Sequence, residues 1–381
     1  MAMRKLSYGM VGGDTTAFIG NVHRSAIRMN NNADLVAGCF SSNAEKQNYT
    51  CEFYDIEGNR NYSNYHEMAQ KEAVREDKID FVIIATPNSL HYPVAKLFLA
   101  NGIHVVCEKP LCFTPEEGYE LKKTADENGC LFGVTYTYLG HVMTREARAL
   151  VQGGAIGRVR MVLGEYLQDG KQRAKLAGNT SRGWRSNPEL SGPSGTTADV
   201  GTHIDSWVSY VTGESVESLI CSFEYLDEAS LLDCGARILV EYSGGLSGVF
   251  YASQAAAGYD NYLKITLIGE LGSIEYEPEN CNYLKLMKIN EPVQILSRGK
   301  PYMSKEALGD IRMPSGHPEG LVEAFANIYR DFATAIYDKL QGKAVVESDY
   351  AYPTIDMGIK GVEFFNMCIE SHNNNSLSVH I

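Results

Sequence analysis

Two pairs of residues in this sequence have the types and spacing needed to accept a proton and to stabilise negative charge on an oxygen. In HVVCEKPLC, Glu108 and Lys109 follow an apolar run that Pro110 ends, because proline lacks the N–H that a central strand needs. In TADVGTH, Asp199 and His203 are four residues apart, so a helix would place them on one face. A histidine held by a carboxylate can accept a proton near neutral pH, and a lysine can stabilise negative charge on an oxygen. An aspartate helix cap beside a buried histidine is the alternative for the second pair, and the residues alone leave both open.

A glycine-rich turn follows the first apolar run. Gly9, Gly12 and Gly13 lie in YGMVGGDTTAFIGNVH, which enters a helical pattern at Gly20. Glycines let the backbone approach a pyrophosphate, whose charge is then held by N–H groups at a helix N-terminus. The spacing departs from G-x-G-x-x-G, and Asp14 replaces the second glycine, so its carboxylate must turn away from a bound phosphate. A purely structural turn is the alternative.

The second strand pattern ends without the acidic residue that usually binds the ribose of NAD. Ser41 and Ser42 stand there, with Lys46 shortly after them. The absence of a carboxylate and the presence of a lysine would tolerate the extra phosphate of NADP. A solvated turn that is indifferent to the cofactor explains the same residues, so the choice between NAD and NADP stays open.

A polar turn, ATPNSLH, follows the third strand pattern. Thr86, Pro87, Asn88 and His91 lie where the carboxyl edge of a parallel sheet binds ligands. Asn88 could equally cap the next helix, and both roles are compatible.

The first third of the chain alternates strand and helix patterns. We predict strands at 6–12, 34–41, 81–87, 104–110 and 131–138, and helices near 20–30, 63–78, 89–101 and 115–128. Nearly continuous apolar strands separated by helices indicate a doubly wound parallel sheet that is covered on both faces.

The second part of the chain has a different pattern. From Val159 to about Tyr276, strand-like runs succeed one another with one helical interruption near residues 199–212, which indicates an open, mostly antiparallel sheet with helices on one face. A long helix follows Pro318, and we expect it to pack across this second domain. Its apolar stripe comprises Leu321, Phe325, Ile328, Phe332, Ile336 and Leu340. The predicted domains are residues 1–138, which bind a dinucleotide, and residues 139–381, which bind substrate and form oligomer contacts.

Composition excludes several classes of partner. The chain has 34 Lys and Arg against 47 Asp and Glu, a net charge of −13, and no basic stripe, so we expect neither nucleic acid nor an anionic membrane as a partner. No signal peptide or bilayer-spanning run is evident, and we expect a cytoplasmic protein. The nine cysteines lack a C-x-x-C pair and predict core thiols, with neither disulfides nor a metal site.

Together these stretches resemble the Gfo/Idh/MocA oxidoreductase family, over nearly the whole chain. The resemblance is carried by the glycine-rich turn with G-x-x-H at Gly20 to His23, the T-P-N-x-x-H turn, E-K-P, and D-x-G-x-H at residues 199–203. It implies an N-terminal Rossmann domain that binds NAD(H) or NADP(H), and hydride transfer from a secondary hydroxyl of a sugar, a cyclitol or the sugar part of a glycoside. The substrate itself stays open.

The resemblance also implies roles for individual residues. Lys109 would contact substrate and cofactor, His203 would take the hydroxyl proton with Asp199 beside it, and Glu108 would face the cofactor. The cofactor-binding candidates are Gly9, Gly12, Gly13, Phe18, Ile19, Ser41, Ser42, Lys46, Thr86, Pro87, Asn88, His91, Glu108 and Lys109. The substrate-binding candidates are Lys109, Tyr136, Tyr138, Arg185, Asp199, His203 and His317, although packing explains the two tyrosines, Arg185 and His317 equally well.

Two other functions fit the same resemblance. One branch with this fold is a glycosidase that uses tightly held NAD for transient oxidation and elimination, and some relatives are regulators that bind a cofactor without catalysis. Retention of both Lys109 and His203 argues against a regulator, which needs neither. Many members have an aspartate three residues after the histidine, whereas this chain has Asp205 two residues after it and Ser206 three residues after it, so substrate contacts there stay open. A sheet with one uncovered face predicts a homodimer or homotetramer.

Overall fold

The chain forms two compact units. The computed structural model describes residues 4–178 and 183–380. Of these, unit 1 comprises the described residues of Met1–Gly140 with Leu321–Ile359, and unit 2 those of His141–Gly320 with Lys360–Ile381. This division differs from the predicted ranges 1–138 and 139–381, because the chain returns to unit 1 for a long helix after residue 320.

Helices and strands alternate in unit 1, and strands dominate unit 2. The helices of the described residues are α1 Phe18–Asn30, α2 Ala44–Phe53, α3 Tyr65–Ala73, α4 His91–Ala100, α5 Pro115–Glu127, α6 Val142–Gln152, α7 Gly170–Leu176, α8 Pro188–Ser191, α9 Thr202–Thr212, α10 Lys305–Gly309, α11 Leu321–Leu340 and α12 Ile355–Asn373. The strands are β1 Leu6–Gly12, β2 Ala33–Cys39, β3 Phe81–Ala85, β4 His104–Cys107, β5 Phe132–Val134, β6 Val159–Leu167, β7 Val216–Glu224, β8 Gly235–Tyr242, β9 Leu246–Ser253, β10 Tyr262–Gly269, β11 Gly272–Tyr276, β12 Tyr283–Lys288, β13 Gln294–Ser297 and β14 Val379–His380.

The sheet of unit 1 confirms the predicted doubly wound parallel fold. Within the described residues its five strands run in the order β2-β1-β3-β4-β5, and each neighbouring pair is parallel. The strand order reverses direction between β1 and β3, and ligands of open α/β sheets bind in the crevice at such a point. Four strands, β2 to β5, end earlier than predicted, so Thr86, Glu108 and Thr135 lie in the loops just beyond the carboxyl ends of β3, β4 and β5. Helix α2 was not predicted.

Helix α11 buries its apolar stripe in unit 1, so the prediction that it packs across the second domain is wrong. Phe325, Ile328, Phe332 and Ile336 are buried in one cluster with residues of α1 and β1, whereas Leu321 and Leu340 at the helix ends are exposed. The ring of Phe332 meets Phe81 of β3 edge-on, with centroids 5.8 Å apart. The complementary apolar faces of α1 and α11 explain why the chain returns to this unit.

The sheet of unit 2 is open and mostly antiparallel, as predicted. Within the described residues its order is β13-β12-β11-β10-β6-β9-β8-β7-β14, and β6 and β9 form the parallel pair. Helix α9 lies close over β6, because a Cβ at Gly164 would stand 2.4 Å from Ile204. The opposite face exposes a row of directly paired apolar side chains across four neighbouring strands. They are Leu163, Val249, Leu239 and Ile220.

The buried cysteines confirm that these residues belong to the cores. Eight of the nine are buried thiols, and Cys281 is partly exposed. Among residues 4–178 and 183–380, no helix has the length and apolar composition needed to cross a bilayer.

The burial of α11 predicts a large stability cost for Phe332→Ala. Removing this core ring should lower the free energy of unfolding by about 3–5 kcal/mol, through lost burial and the cavity left behind. Leu340→Ala, at the exposed end of the same helix, should change it by less than about 0.5 kcal/mol. Urea denaturation followed by circular dichroism measures both, and equal small effects would contradict the assigned position of α11.

Candidate active site

A backbone cradle lies at the crevice between β1 and β3. Gly12 and Gly13 have φ of +78° and +72°, which L side chains rarely adopt. A Cβ at Gly12 would stand 2.4 Å from the carbonyl oxygen of Ala85, and one at Gly20 would stand 2.4 Å from that of Gly13. Helix α1 begins after Ala17, which carries no side-chain acceptor for the first N–H groups. The loop therefore fits a pyrophosphate, since the backbone comes close and the helix N-terminus offers donors.

Asp14 is turned back onto its own loop. Its Oδ1 accepts hydrogen bonds from the backbone N–H of Thr16 at 2.8 Å and from the Thr16 hydroxyl at 2.6 Å. The loop thus holds the carboxylate, as a phosphate-binding turn with an aspartate requires.

Three other candidates near this loop differ in position. Gly9 lies buried inside β1, where a Cβ would stand 2.3 Å from the Met68 side chain, so it packs within the strand and its cofactor contact stays a prediction. Phe18 is exposed in the first turn of α1, and Ile19 packs partly against the core of unit 1. Cofactor contacts of Phe18 and Ile19 stay a prediction.

The loop after β2 forms the N-terminus of α2. Asn43 caps this helix by accepting from the Lys46 N–H at 3.0 Å, and the Ser41 hydroxyl accepts from the Asn43 N–H at 3.2 Å. Ser42 and Lys46 are exposed. The residues predicted to choose between NAD and NADP therefore lie on an accessible, capped turn.

His91 joins two loops at the carboxyl edge of the sheet. Its ring is buried, with Nδ1 2.7 Å from the carbonyl oxygen of Pro110 and Nε2 3.1 Å from that of Thr86. Burial lowers the pKa of His91. The histidine thus positions the T-P-N turn against the E-K-P turn. The hydroxyl oxygen of Thr86 is buried and has no hydrogen-bond partner among the described residues, which suits a polar ligand at the crevice.

Glu108 faces the interior of unit 1. Its Oε1 lies 3.0 Å from Nε2 of His23 and accepts a hydrogen bond of 2.6 Å from the Thr135 hydroxyl. Burial alone would raise the pKa of Glu108, but its contacts with His23 and the Thr135 hydroxyl and the nearby charge of Lys109 hold it below the usual value. The Glu108 carboxylate is thus held by side chains of unit 1, and its orientation toward the cofactor stays a prediction. Lys109, the next residue, is half-buried.

In unit 2, a buried aspartate organises the loop that carries Asp199 and His203. Oδ1 of Asp233 accepts from the Ser194 hydroxyl at 2.9 Å and the Gly195 N–H at 2.6 Å, while its Oδ2 accepts from the N–H of Thr197 at 2.8 Å and its hydroxyl at 2.9 Å. These four bonds fix the start of a π-helical turn at Thr197–Gly201, which runs directly into α9. Asp199 lies on the π turn and His203 on α9.

Amide and hydroxyl groups surround Asp199. The side-chain amide of Gln254 donates to its Oδ2 at 2.7 Å, and the same nitrogen donates to Oε1 of Gln168 at 3.1 Å. The Thr196 hydroxyl donates to Oε1 of Gln254 at 3.1 Å, and Nζ of Lys171 donates to the Thr196 hydroxyl at 3.1 Å. Sequence reasoning missed these groups and Asp233. Because these residues are far apart along the chain, no sequence motif of fixed spacing identifies them.

Asp205, whose role the sequence leaves open, is a core residue. It accepts a hydrogen bond of 2.8 Å from the Tyr242 hydroxyl, and burial raises its pKa to about 6. It is therefore committed to the interior of unit 2.

The remaining substrate candidates occupy two kinds of environment. Tyr136 and Tyr138 are buried just beyond β5. Arg185 is exposed and its guanidinium lies 4.5 Å from the ring centre of Trp184, whereas His317 lies on an exposed loop and its carbonyl oxygen accepts from Arg298. These positions favour packing for the tyrosines, and substrate contact by any of the four stays a prediction.

Comparison with known proteins decides the family. The family model described as the oxidoreductase family with an NAD-binding Rossmann fold matches residues 6–136, and the GFO/IDH/MocA C-terminal domain matches residues 144–275. The uncharacterised oxidoreductase YfiI of Bacillus subtilis is 35% identical over 384 aligned residues, which cover 99% of this chain and 97% of that protein. This chain belongs to the Gfo/Idh/MocA family of oxidoreductases. The resemblance seen in the sequence is thereby confirmed.

Solved structures of the family show the same fold over the whole chain. An inositol dehydrogenase homologue from Azotobacter vinelandii, crystallised with NAD+, is 35% identical with a TM-score of 0.95, and the alignment covers 99% of this chain and 98% of that chain. The structure of an inositol dehydrogenase homologue from this organism with NADH and myo-inositol gives 34% identity and a TM-score of 0.92, with the same coverage. Levoglucosan dehydrogenase of Pseudarthrobacter phenanthrenivorans is 27% identical over 56% of this chain and 59% of its own length.

The cradle predicts that Gly20→Ala impairs NAD binding. The added methyl group would collide with the Gly13 backbone and push α1 away from β1, so affinity should fall by about 10-fold or more, equivalent to about 1.4 kcal/mol. Gly58→Ala is the matched control, since a Cβ there meets nothing within 4 Å. Titration calorimetry measures both affinities, and unchanged binding by the Gly20 variant would contradict the assignment of this loop.

Proposed function

We propose that the protein is an NAD-dependent dehydrogenase that oxidises a secondary ring hydroxyl of a cyclitol or sugar to a ketone. The observation that carries this proposal is the end of β4. There, Glu108 is tied into the interior and Lys109 follows it at the carboxyl edge of an NAD-binding sheet. Ligands bind at this edge in open α/β sheets, and a lysine is a suitable donor to an alcohol oxygen that gains negative charge.

We assign the dinucleotide to four segments of unit 1. Backbone N–H groups beyond Gly12 and Gly13 and at the start of α1 would hold the pyrophosphate. The turn from Ser41 to Lys46 would lie by the adenosine ribose, and the turn from Thr86 to Asn88 by the nicotinamide half. NAD is favoured because similar structures contain NAD+ or NADH, while the uncharged serines also tolerate NADP. Rates with both cofactors decide between them.

Oxidation of the alcohol removes a proton from its hydroxyl group and a hydride from its carbon. When bound, NAD+ accepts the hydride from the carbon that carries the hydroxyl. His203 would take the hydroxyl proton as a general base, and the Lys109 ammonium would donate a hydrogen bond to an alcohol oxygen as its C–O bond becomes a carbonyl. Asp199, held by the Gln254 amide, orients the substrate beside His203.

A ring polyol suits the polar groups around Asp199. Gln168, Lys171, Thr196 and Gln254 supply both donors and acceptors, which is the inventory that neighbouring hydroxyl groups require. The Azotobacter structure with myo-inositol and the relative that acts on levoglucosan support ring alcohols as the substrate class. Net formation of NADH with myo-inositol supports a dehydrogenase, whereas sugar release from a glycoside without net NADH would indicate the glycosidase reaction.

Substitution of the two proposed catalytic side chains tests the function. Lys109→Ala and His203→Ala should each lower kcat by about 100-fold or more, because each removes a group that acts at the reacting oxygen. Cofactor affinity should stay within about three-fold, since neither side chain is assigned to the pyrophosphate or adenosine. Fluorescence titration and NADH absorbance measure the two quantities. The partly exposed Lys122 and the exposed His66 provide alanine controls, and near-normal kcat in either catalytic variant would contradict its role.

We also propose that the open face of the unit 2 sheet binds a second copy of the chain. Leu239 and Val249 pair directly in the middle of the exposed row and are each about half exposed, at 52% and 50%. A contiguous apolar row of this kind is typical of an interface.

Leu239→Glu should therefore shift the protein from oligomer to monomer, because burying an unpaired carboxylate at the centre of the interface costs free energy. Leu231→Glu, at an exposed position outside the sheet, is the control and should leave the assembly unchanged. Sedimentation velocity measures both, and an intact oligomer in the Leu239 variant would contradict this interface.

A further inference from the structure

A chain of four side chains linked by short polar contacts crosses the interior of unit 1 and ends beside Lys109. The hydroxyl of Tyr329 on α11 lies 2.7 Å from Nδ1 of His23 on α1, and Nε2 of His23 lies 3.0 Å from Glu108. The Thr135 hydroxyl completes the chain at 2.6 Å from the same carboxylate oxygen. Helices from opposite ends of the sequence thus meet the ends of β4 and β5 through polar contacts.

We propose that this chain fixes the direction of Lys109 for hydride transfer, and that His23, Tyr329 and Thr135 are positioning residues. The inference rests on the role proposed above for Lys109. It adds residues that are assigned no role at the reacting oxygen and that act through Glu108.

The order of donors and acceptors along the chain is consistent. The ionised Glu108 accepts a hydrogen bond from the Thr135 hydroxyl, and the same carboxylate oxygen lies 3.0 Å from Nε2 of His23. A neutral imidazole protonated on Nε2 carries a lone pair on Nδ1, and this nitrogen accepts from the Tyr329 hydroxyl. Tyr329 therefore selects the tautomer of His23 that can donate to Glu108.

Burial makes this arrangement rigid. His23 is fully buried, Tyr329 is 2% exposed, and the Glu108 side chain is 13% exposed. The His23 ring is also held edge-on by Phe325, with centroids 5.0 Å apart. Water therefore competes little for these bonds, and the side chains have little freedom to choose other rotamers.

The backbone on both sides of Lys109 is anchored. The N–H of Glu108 donates to the carbonyl of Ile84 at 3.0 Å, and the N–H of Thr135 donates to the carbonyl of Cys107 at 3.0 Å. Beyond Lys109, the Pro110 carbonyl lies 2.7 Å from Nδ1 of His91. Since the residues before and after Lys109 are fixed, the direction in which its side chain leaves the backbone is fixed as well.

Stability alone explains this chain poorly. Burying a carboxylate costs desolvation free energy, and well-packed apolar residues of similar volume are often as stable as a buried charged pair. The carboxylate immediately precedes Lys109, which indicates instead that the chain serves to orient the Lys109 side chain.

Two substitutions of His23 separate positioning from packing. The amide nitrogen of glutamine can occupy the place of Nε2 and donate to Glu108, whereas asparagine is too short to do so and reaches only the Nδ1 position. His23→Asn should lower kcat by about 10- to 100-fold, as a displacement near 1 Å at a reacting group does, and His23→Gln should recover most of the loss. The kcat of Tyr329→Phe should lie between the values of these two variants, because the hydroxyl that favours one His23 tautomer is then absent. Tyr8→Phe, in the same core cluster, is the control for the loss of a buried hydroxyl.

The readouts are kcat and KM with myo-inositol, the primary deuterium isotope effect on kcat, NAD+ affinity, and the ¹⁵N shifts of the His23 ring. We expect kcat to fall and the isotope effect to rise in His23→Asn, with KM and NAD+ affinity within about three-fold, because the chemical step alone is slowed. The ¹⁵N shifts should show Nε2 protonated in the native chain and a mixture of tautomers in Tyr329→Phe.

Two results would overturn the inference. One is normal kcat in a folded His23→Asn variant while Lys109→Ala loses activity. The other is equal loss in the asparagine and glutamine variants with weakened NAD+ binding and a lowered melting temperature, which would assign the chain to packing. Normal kcat in Lys109→Ala would instead contradict the proposed function, so the two failures are distinguishable.

Discussion

The buried carboxylate of Glu108 is the interaction on which the arrangement of unit 1 depends. It lies just beyond β4, where it contacts α1 through Nε2 of His23 at 3.0 Å and accepts a hydrogen bond from Thr135 in the loop after β5. Tyr329 adds α11 to the same network. The glycine cradle, the central strand ends and the returning helix are thus tied to one point. A buried charge tolerates little displacement of its donors, and this makes the network a strict geometric constraint.

Unit 2 also has a buried carboxylate that holds the segment carrying its proposed functional residues. Asp233 is buried and accepts four hydrogen bonds from residues 194–197, so the π-helical turn that carries Asp199 starts from a fixed loop. Gln254 then holds the Asp199 carboxylate. In each unit, an interior carboxylate is bonded to the segment that carries, or directly precedes, a proposed catalytic side chain.

The sequence predicted local features well and long-range contacts poorly. Apolar runs that lead into T-P-N and E-K-P predicted the sheet type and located β3 and β4, although both strands end before these motifs. The orientation of Glu108 depends on His23 and Thr135, which are close to it only in the folded chain, and no spacing reveals that. The same reason explains the misplaced helix α11. Its apolar stripe is visible in the sequence, but the surface that covers the stripe is not.

A double-mutant cycle between His23 and Lys109 tests the central claim that the buried chain acts through Lys109. The measurement is the single-turnover rate of hydride transfer to NAD+ from myo-inositol, in the native protein, His23→Asn, Lys109→Ala and the double variant. If the chain acts through Lys109, His23→Asn slows the native protein by about 10-fold or more and slows Lys109→Ala by less than about two-fold. Equal slowing in both backgrounds would show that His23 and Lys109 act independently and would contradict the account.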